Sequence, residues 1–225
     1  MSAYKNILRK VGLVLIGVGV FDIGLMVFAI VNNLSYMSSL NIFAIIAGVY
    51  LLKGNLKATQ IILWFVAFFL GGIIGVSIAA FWSIPISLIW TYAKFYKFQF
   101  LMICVEFILI FILLFWTYRC LTFKVVLDAI NANLDCRKIW NKPIVGLGIG
   151  LLLVALLIFL LLPLSKGEIV DEAKKRASFQ SGSEYQYYVS SIEVQSSHEN
   201  SSHVSAEVIA YNEREIKNVN VEWDE

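Results

Sequence analysis

The amino-acid sequence predicts a mainly α, polytopic membrane helix bundle of about five transmembrane helices, followed by a small C-terminal α+β domain. The chain is 59% hydrophobic and only 15% charged, whereas soluble domains are about 25% charged. Its mean hydropathy of +0.76 is correspondingly high. Several uninterrupted apolar runs reach about 20 residues, the length with which a helix crosses a hydrocarbon core. After Pro163 the composition becomes polar, so we expect a separate domain there.

The predicted bundle occupies residues 1–164. A second, weaker run is included because serines and Asn41 dilute only its first half, and its second half is strongly apolar. The five predicted spans are Val11–Val31, Leu34–Leu52, Ala58–Trp82, Phe98–Tyr118 and Ile144–Leu164.

The distribution of Lys and Arg predicts the orientation of the bundle. With the N-terminus inside, the inner segments hold ten basic residues, whereas the two short outer segments between spans hold only Lys94 and Lys97. Cytoplasmic loops carry such an excess of positive charge. An odd number of crossings then puts the C-terminal domain outside the membrane. Without the weak second span, the basic segment 119–143 would face outward.

Two segments between the spans are predicted to lie at the membrane surface. Segment 83–97 is rich in aromatic residues, including Trp90 and Tyr92, and aromatic rings favour the headgroup level. We expect an outer interfacial stretch there, with a docking surface for a partner as the alternative. On the inner side, apolar residues recur at helical spacing over about 121–135, which predicts an amphipathic helix lying on the inner leaflet or against the bundle.

The polar domain, residues 165–225, is predicted to contain one helix and a three-stranded antiparallel sheet. Glu168–Gln180 has acidic residues early and basic residues later, as the helix dipole favours. Three β-rich segments follow, and two of them alternate between apolar and polar residues, which is typical of half-buried strands. The predicted strands are Tyr185–Gln195, Val204–Tyr211 and Ile216–Trp223.

Two acidic residues lie inside predicted spans. Counted from the outer ends of their spans at 1.5 Å per residue, Asp22 is about 13 Å deep, Glu106 about 12 Å and Asn41 about 10 Å. No Lys, Arg or His lies within any predicted span, so two neighbouring carboxyls would not both ionise. We therefore predict an intramembrane polar cluster of Asp22, Asn41 and Glu106. It would act as a hydrogen-bonded clasp between helices or, alternatively, as a proton or cation site in a transport path.

Glycines four residues apart predict close helix packing, since small residues let helix backbones approach. The pairs are Gly71 with Gly75 and Gly146 with Gly150. They would serve packing within the chain or, alternatively, contact in a homo-oligomer.

We find no sequence signature of catalysis, a metal site or a cofactor site. The histidines, His198 and His203, lie in or beside a Ser-rich loop, where solvated side chains are the common case. Cys120 and Cys136 lack the spacing and the neighbouring histidines of a zinc site. The net charge of +2 is too small to indicate nucleic-acid binding. The sequence thus favours a protein that is not an enzyme.

Three stretches resemble a family of small bacterial multi-pass inner-membrane proteins without a known activity. They are GLVLIGVGVFDIGLM, SSLNIFAIIAGVYLLKGNLKA and AEVIAYNEREIKNVNVEW. The resemblance covers most of the chain and implies a bacterial inner membrane with a periplasmic C-terminal module. It supplies no functional residues.

Taken together, these features predict a non-enzymatic integral membrane protein with a cytoplasmic N-terminus and a periplasmic C-terminus. It would position a small binding or assembly module that acts as an accessory to another envelope component through residues 165–225. The alternative is a small transporter or channel subunit that uses the acidic cluster.

Overall fold

The computed structural model describes residues 3–32, 41–133, 142–165, 167–196 and 202–224. Helices dominate this part of the chain, and a three-stranded sheet follows them. The helices are α1 Ala3–Val31, α2 Asn41–Leu52, α3 Leu56–Ser83, α4 Ile86–Phe95, α5 Lys97–Leu121, α6 Lys124–Asn133, α7 Pro143–Ser165 and α8 Glu168–Ser181. The strands are β1 Gln186–Ser196, β2 Ser202–Tyr211 and β3 Ile216–Asp224.

Four of the described helices, α1, α3, α5 and α7, are long and apolar enough to cross a membrane. This agrees with an integral membrane protein and with four of the predicted spans. The remaining predicted span, Leu34–Leu52, coincides only in part with α2, which has 12 residues. A helix of that length rises about 18 Å, less than the roughly 30 Å of a hydrocarbon core. The first half of this predicted span, residues 34–40, lies outside the described residues.

The chain divides into two compact units, which are described separately below. The first contains Met1–Gly75 and Ile108–Leu153, and the second contains Val76–Phe107 and Val154–Glu225. Helices α3, α5 and α7 therefore each contribute one part to both units.

In the first unit, helices that run in opposite directions meet near the basic segments of the chain. The start of α1 packs against the end of α2, the start of α3, the end of α5 and the helix α6. Their buried apolar residues form one cluster, made of Leu8, Val11, Leu15, Leu51, Leu63, Leu121, Val126 and Ile130. Helix α6 lies within the segment predicted to be an amphipathic helix, and its Val126 and Ile130 are buried in this cluster. Leu134 and Asp135 of the predicted segment lie outside the described residues.

Glycines bring the helix backbones of the first unit into direct contact. A Cβ at Gly71 would lie 2.3 Å from the carbonyl oxygen of Leu147, and one at Gly146 would lie 2.6 Å from that of Trp64. These glycines, which the sequence singles out, therefore pack α3 against α7 within one chain. Gly12 and Gly48 form a similar contact between α1 and α2, and no four-residue spacing in the sequence reveals it.

In the second unit, α8 covers one face of the antiparallel sheet β1-β2-β3. Alternate residues of β2 and β3 are buried in this core, as their alternating pattern predicts. The core residues are Ala173, Ala177, Tyr185, Val204, Ala206, Val208, Ala210, Val219, Val221 and Trp223. The predicted helix and the three predicted strands are each confirmed to within a few residues at their ends.

Candidate functional site

Helix α4 occupies the segment that the sequence predicts to be an outer interfacial stretch. It follows Pro85, which cannot donate a backbone hydrogen bond and is well suited to the start of a helix. Several aromatic rings on and beside this helix are exposed, among them Trp82 at 86%, Trp90 at 77% and Phe98 at 75%. Exposed tryptophans at the ends of apolar helices are typical of the membrane–water interface.

The same helix holds the sheet of the C-terminal domain. The Ser87 Oγ lies 3.1 Å from Gln186 Oε1 and 3.1 Å from the Tyr211 hydroxyl. In the last turn of α4, Lys94 donates from Nζ to the backbone carbonyl of Glu213 at 2.8 Å. Helix α4 thus contacts the start of β1, the end of β2 and the turn between β2 and β3.

These contacts lie on the face of the sheet that α8 does not cover. Gln186 pairs with Tyr211 across β1 and β2, and the next pair is Tyr187 with Ala210, which faces α8. Successive residues of a strand point to opposite faces, so Gln186 and Tyr211 face away from α8. The two helices α4 and α8 therefore enclose this end of the sheet from both sides. Tyr211 is only 4% exposed as a result.

The turn that Lys94 contacts is ordered by its own side chains. The Asn212 Oδ1 accepts hydrogen bonds from the backbone N–H groups of Arg214 at 2.8 Å and Glu215 at 2.9 Å. Behind the turn, Lys217 Nζ lies 2.7 Å from Glu215 Oε1 and donates to the Tyr185 hydroxyl at 2.9 Å. The Tyr185 hydroxyl in turn donates to Glu215 Oε1. The hydrogen bonds that Glu215 accepts from Lys217 and Tyr185 lower its pKa, and the hydrogen bond to Glu215 raises the pKa of Lys217. The turn therefore presents a fixed carbonyl to α4.

Beyond α4, the uncovered part of the sheet is polar and exposed. Here His203 Nδ1 lies 2.7 Å from Asp224 Oδ1, and its Nε2 lies 4.0 Å from Glu222 Oε2. The hydrogen bond that the ring donates to Asp224 raises the pKa of His203. Among the described residues, no group of three or more potential ligands could hold a metal ion. His198 and Cys136 lie outside the described residues.

The structure places the predicted intramembrane residues on three different helices. Asp22 is half-buried on α1 in the first unit, whereas Glu106 is exposed on α5 in the second unit. Asn41 begins α2, and its side chain is not described. The polar cluster of these residues, and the ion-transport alternative that depends on it, stay predictions.

The contact between α4 and the sheet is missing from the sequence prediction. The aromatic residues of segment 83–97 indicate the interface, but Ser87 and Lys94 carry no pattern that points to strands about 100 residues later. A shallow pocket of about 250 Å³ lies on α4, lined by Trp90, Ala93 and Lys94.

Comparisons of the chain with protein-family models, curated proteins and solved structures found no match.

Proposed function

We propose that this protein is a non-enzymatic integral membrane protein. It positions its C-terminal module at the periplasmic surface of the membrane, where the module acts as an accessory to another envelope component. The observation that carries this proposal is the set of hydrogen bonds from Ser87 and Lys94 to the sheet. Helix α4 connects two apolar helices, so these bonds tie the module to the membrane-embedded part of the chain at a second point besides α7.

Two attachment points restrict how the module can turn. The helix α8 begins at Glu168, shortly after α7 ends at Ser165, which leaves little free linker. Helix α4 covers one end of this face of the sheet. The rest of the face is polar and presents exposed residues such as Glu193, Glu222 and Asp224. A partner in the periplasm would bind this oriented surface.

The proposed topology has five crossings, with a cytoplasmic N-terminus and a periplasmic C-terminus. Its support comes from the apolar cluster that joins Leu8 of α1, Leu51 of α2 and Leu63 of α3. The cluster places the start of α1 and the start of α3 on the same side of the membrane. If α1 and α3 each cross from that side, the chain between them has to cross back once. The basic residues Lys5, Lys53 and Lys57 lie at or beside these helix ends, as the positive-inside rule requires for the cytoplasmic side.

A bacterial inner membrane is the proposed location. This part of the proposal rests on the resemblance of the three sequence stretches quoted above and on the charge distribution. A tag placed after Glu225 should react with a membrane-impermeant reagent in intact spheroplasts, while a tag before Met1 should react only after permeabilisation. Labelling of both tags only after permeabilisation would contradict the proposed orientation.

The accessory role can be tested by co-purification in a mild detergent. The full chain should retain an envelope partner that a variant lacking residues 165–225 loses. The double variant Ser87→Ala with Lys94→Gln should reduce recovery of this partner, because the module is then attached only through α7. The matched control Lys124→Gln, on α6, should leave recovery unchanged. Absence of any partner that depends on the module would overturn the proposed function.

A further inference from the structure

Helix α5 is the least covered of the four candidate spans. Only 6% of its most apolar window is buried inside the protein, compared with 33% for α3. Large apolar residues are exposed along its length, which is normal for a helix in contact with lipid. Its outer half departs from this pattern in one respect, since polar residues interrupt the exposed surface.

Gln99 and Glu106 lie on one side of α5 together with Met102 and Ile103. Residues three, four and seven positions apart share a helix face, and all four of these side chains are exposed. We call this set the α5 stripe. Its two polar residues are two turns apart, about 10.5 Å along the helix. Methionine, which adapts its shape to a partner, is common at binding surfaces.

An exposed carboxyl in a membrane span is energetically unfavourable. Glu106 lies nine residues after the start of α5 at Lys97, so it is about 13 Å along the helix from the interface. An acidic residue near the middle of a membrane helix is costly in contact with lipid, and such residues therefore pair with a partner in most cases. The position of Glu106 thus requires a covering group that the described part of the chain does not place over it.

The chemistry of this chain limits what that group can be. None of its predicted spans contains Lys, Arg or His. A second copy of the chain would consequently bring only acids, amides and hydroxyls to the depth of Glu106. A second carboxyl beside Glu106 would supply no opposite charge. Charge complementarity therefore points to a different protein with a basic residue at this depth.

We infer that the α5 stripe is a docking site for a transmembrane helix of another membrane protein that carries a Lys or Arg in the outer half of its span. Glu106 pairs with this cation, and Gln99 adds a hydrogen bond nearer the surface. The inference rests on the proposed accessory function and specifies a second contact with the partner, inside the membrane. It differs from the predicted polar cluster, which would turn Glu106 toward Asp22.

The inference can be tested in proteoliposomes without knowledge of the natural partner. The probes are three Leu/Ala transmembrane peptides of about 21 residues. One carries a single Lys about 13 Å below its outer end, a second carries Leu there and a third carries Glu. Energy transfer from a donor on the full-length protein to an acceptor on the peptide measures their association. The Lys peptide should bind about tenfold more tightly than the Leu peptide, which corresponds to about 1.4 kcal/mol.

Variants separate the stripe from other causes. Glu106→Gln should abolish the preference for the Lys peptide, and Glu106→Asp should retain part of it. Asp22→Asn, which changes the other intramembrane acid, should leave the preference intact. Loss of the preference in Asp22→Asn, equal binding of all three peptides, or association between copies of the protein that depends on Glu106 would each overturn the inference.

The same assay distinguishes failure of the inference from failure of the proposed function. The double variant Ser87→Ala with Lys94→Gln releases the module from α4 and leaves the α5 stripe intact. It should bind the Lys peptide as the unmodified protein does. If the peptides show no preference while co-purification still depends on residues 165–225, the inference fails and the proposed function stands. If the Lys peptide is preferred but no partner depends on the module, the module has no accessory role.

Discussion

The first compact unit and the C-terminal sheet are held together in different ways. In the first unit, helices meet through their backbones at glycines, and most large side chains on the helices point outward. In the sheet, backbone contacts are the hydrogen bonds of the strands, and the core is filled by side chains such as Val208 and Trp223. The difference follows from the two solvents, because lipid is as apolar as a leucine side chain and water is not.

Water and lipid therefore constrain different residues, and these are the residues that a sequence pattern can reveal. In water, burial separates apolar from polar residues, so alternation along β2 identifies its core positions. In lipid, an apolar side chain gains little by leaving the solvent, and close packing instead depends on small residues. Substitutions should therefore be most damaging at large residues in the module and at small residues in the bundle.

Trp223→Ala should give the largest effect. The ring is 7% exposed in the module core, and the Arg176 guanidinium carbon lies 5.2 Å from its centre. Removing a buried Trp typically costs about 3–5 kcal/mol. The loss would be measured by thermal unfolding of the full chain in detergent, with protease cleavage within residues 167–224 as the readout of unfolding. Phe179→Ala, at a side chain 80% exposed on α8, should change stability by less than about 0.5 kcal/mol.

Gly150→Ala tests the opposite rule in the bundle. A Cβ at Gly150 would lie 2.1 Å from the Phe68 carbonyl oxygen and 2.9 Å from the Gly72 nitrogen, so α3 and α7 would have to separate. Such overpacking costs about 1–3 kcal/mol. On the same helix, nothing lies within 4 Å of a Cβ at Gly148. Gly148→Ala should therefore be neutral or stabilising, since Ala favours a helix over Gly by about 1 kcal/mol.

The measurement for this pair is the detergent or SDS concentration at which the helical bundle unfolds. Equal effects at positions 148 and 150 would contradict the proposed role of backbone contact. A smaller loss at position 150 than at position 148 would do so as well.

The sequence predicts the module more completely than the bundle. Helix α8 follows from its charge order, β1 from its β-rich composition, and β2 and β3 from their alternation, which also identifies their buried face. In the bundle, the apolar runs identify four long helices, but they do not reveal which helices are neighbours, because nearly every position is apolar. Gly71 and Gly146 could be recognised from their spacing, whereas the contact between Gly12 and Gly48 could not. The α4 contact depends on single hydrogen bonds between Ser87 or Lys94 and distant strands, which no local pattern encodes.

Two buried threonines sharpen the comparison within the membrane helices. Thr59 is fully buried and donates from Oγ1 to the Asn55 carbonyl at 2.9 Å. Thr117 is equally buried, but its hydroxyl has no hydrogen-bond partner among the described residues. Thr117→Val should therefore stabilise the bundle by about 1 kcal/mol, while Thr59→Val should destabilise it by about the same amount. Unfolding in SDS would measure both, and destabilisation by Thr117→Val would show that its hydroxyl is paired.

The smallest effect is expected for a pH dependence that only the module should show. The hydrogen bond that the His203 ring donates to Asp224 raises the pKa of His203, and Glu222 adds a second negative charge 4.0 Å from the ring. A raised pKa means that the charged pair stabilises the folded module fully below the ordinary histidine pKa of about 6.5, and that this stabilisation is lost as the pH rises through the raised value. The pKa of Glu215 is lowered by Lys217, so this carboxylate stays ionised over that range. The difference in module stability between the unmodified chain and His203→Gln should shrink as the pH rises from about 6.5 through the raised pKa of His203. Bundle stability should be the same in both proteins at each pH. A constant difference in module stability would show that the ring does not change its charge there, because a contact that depends on shape alone does not respond to protons.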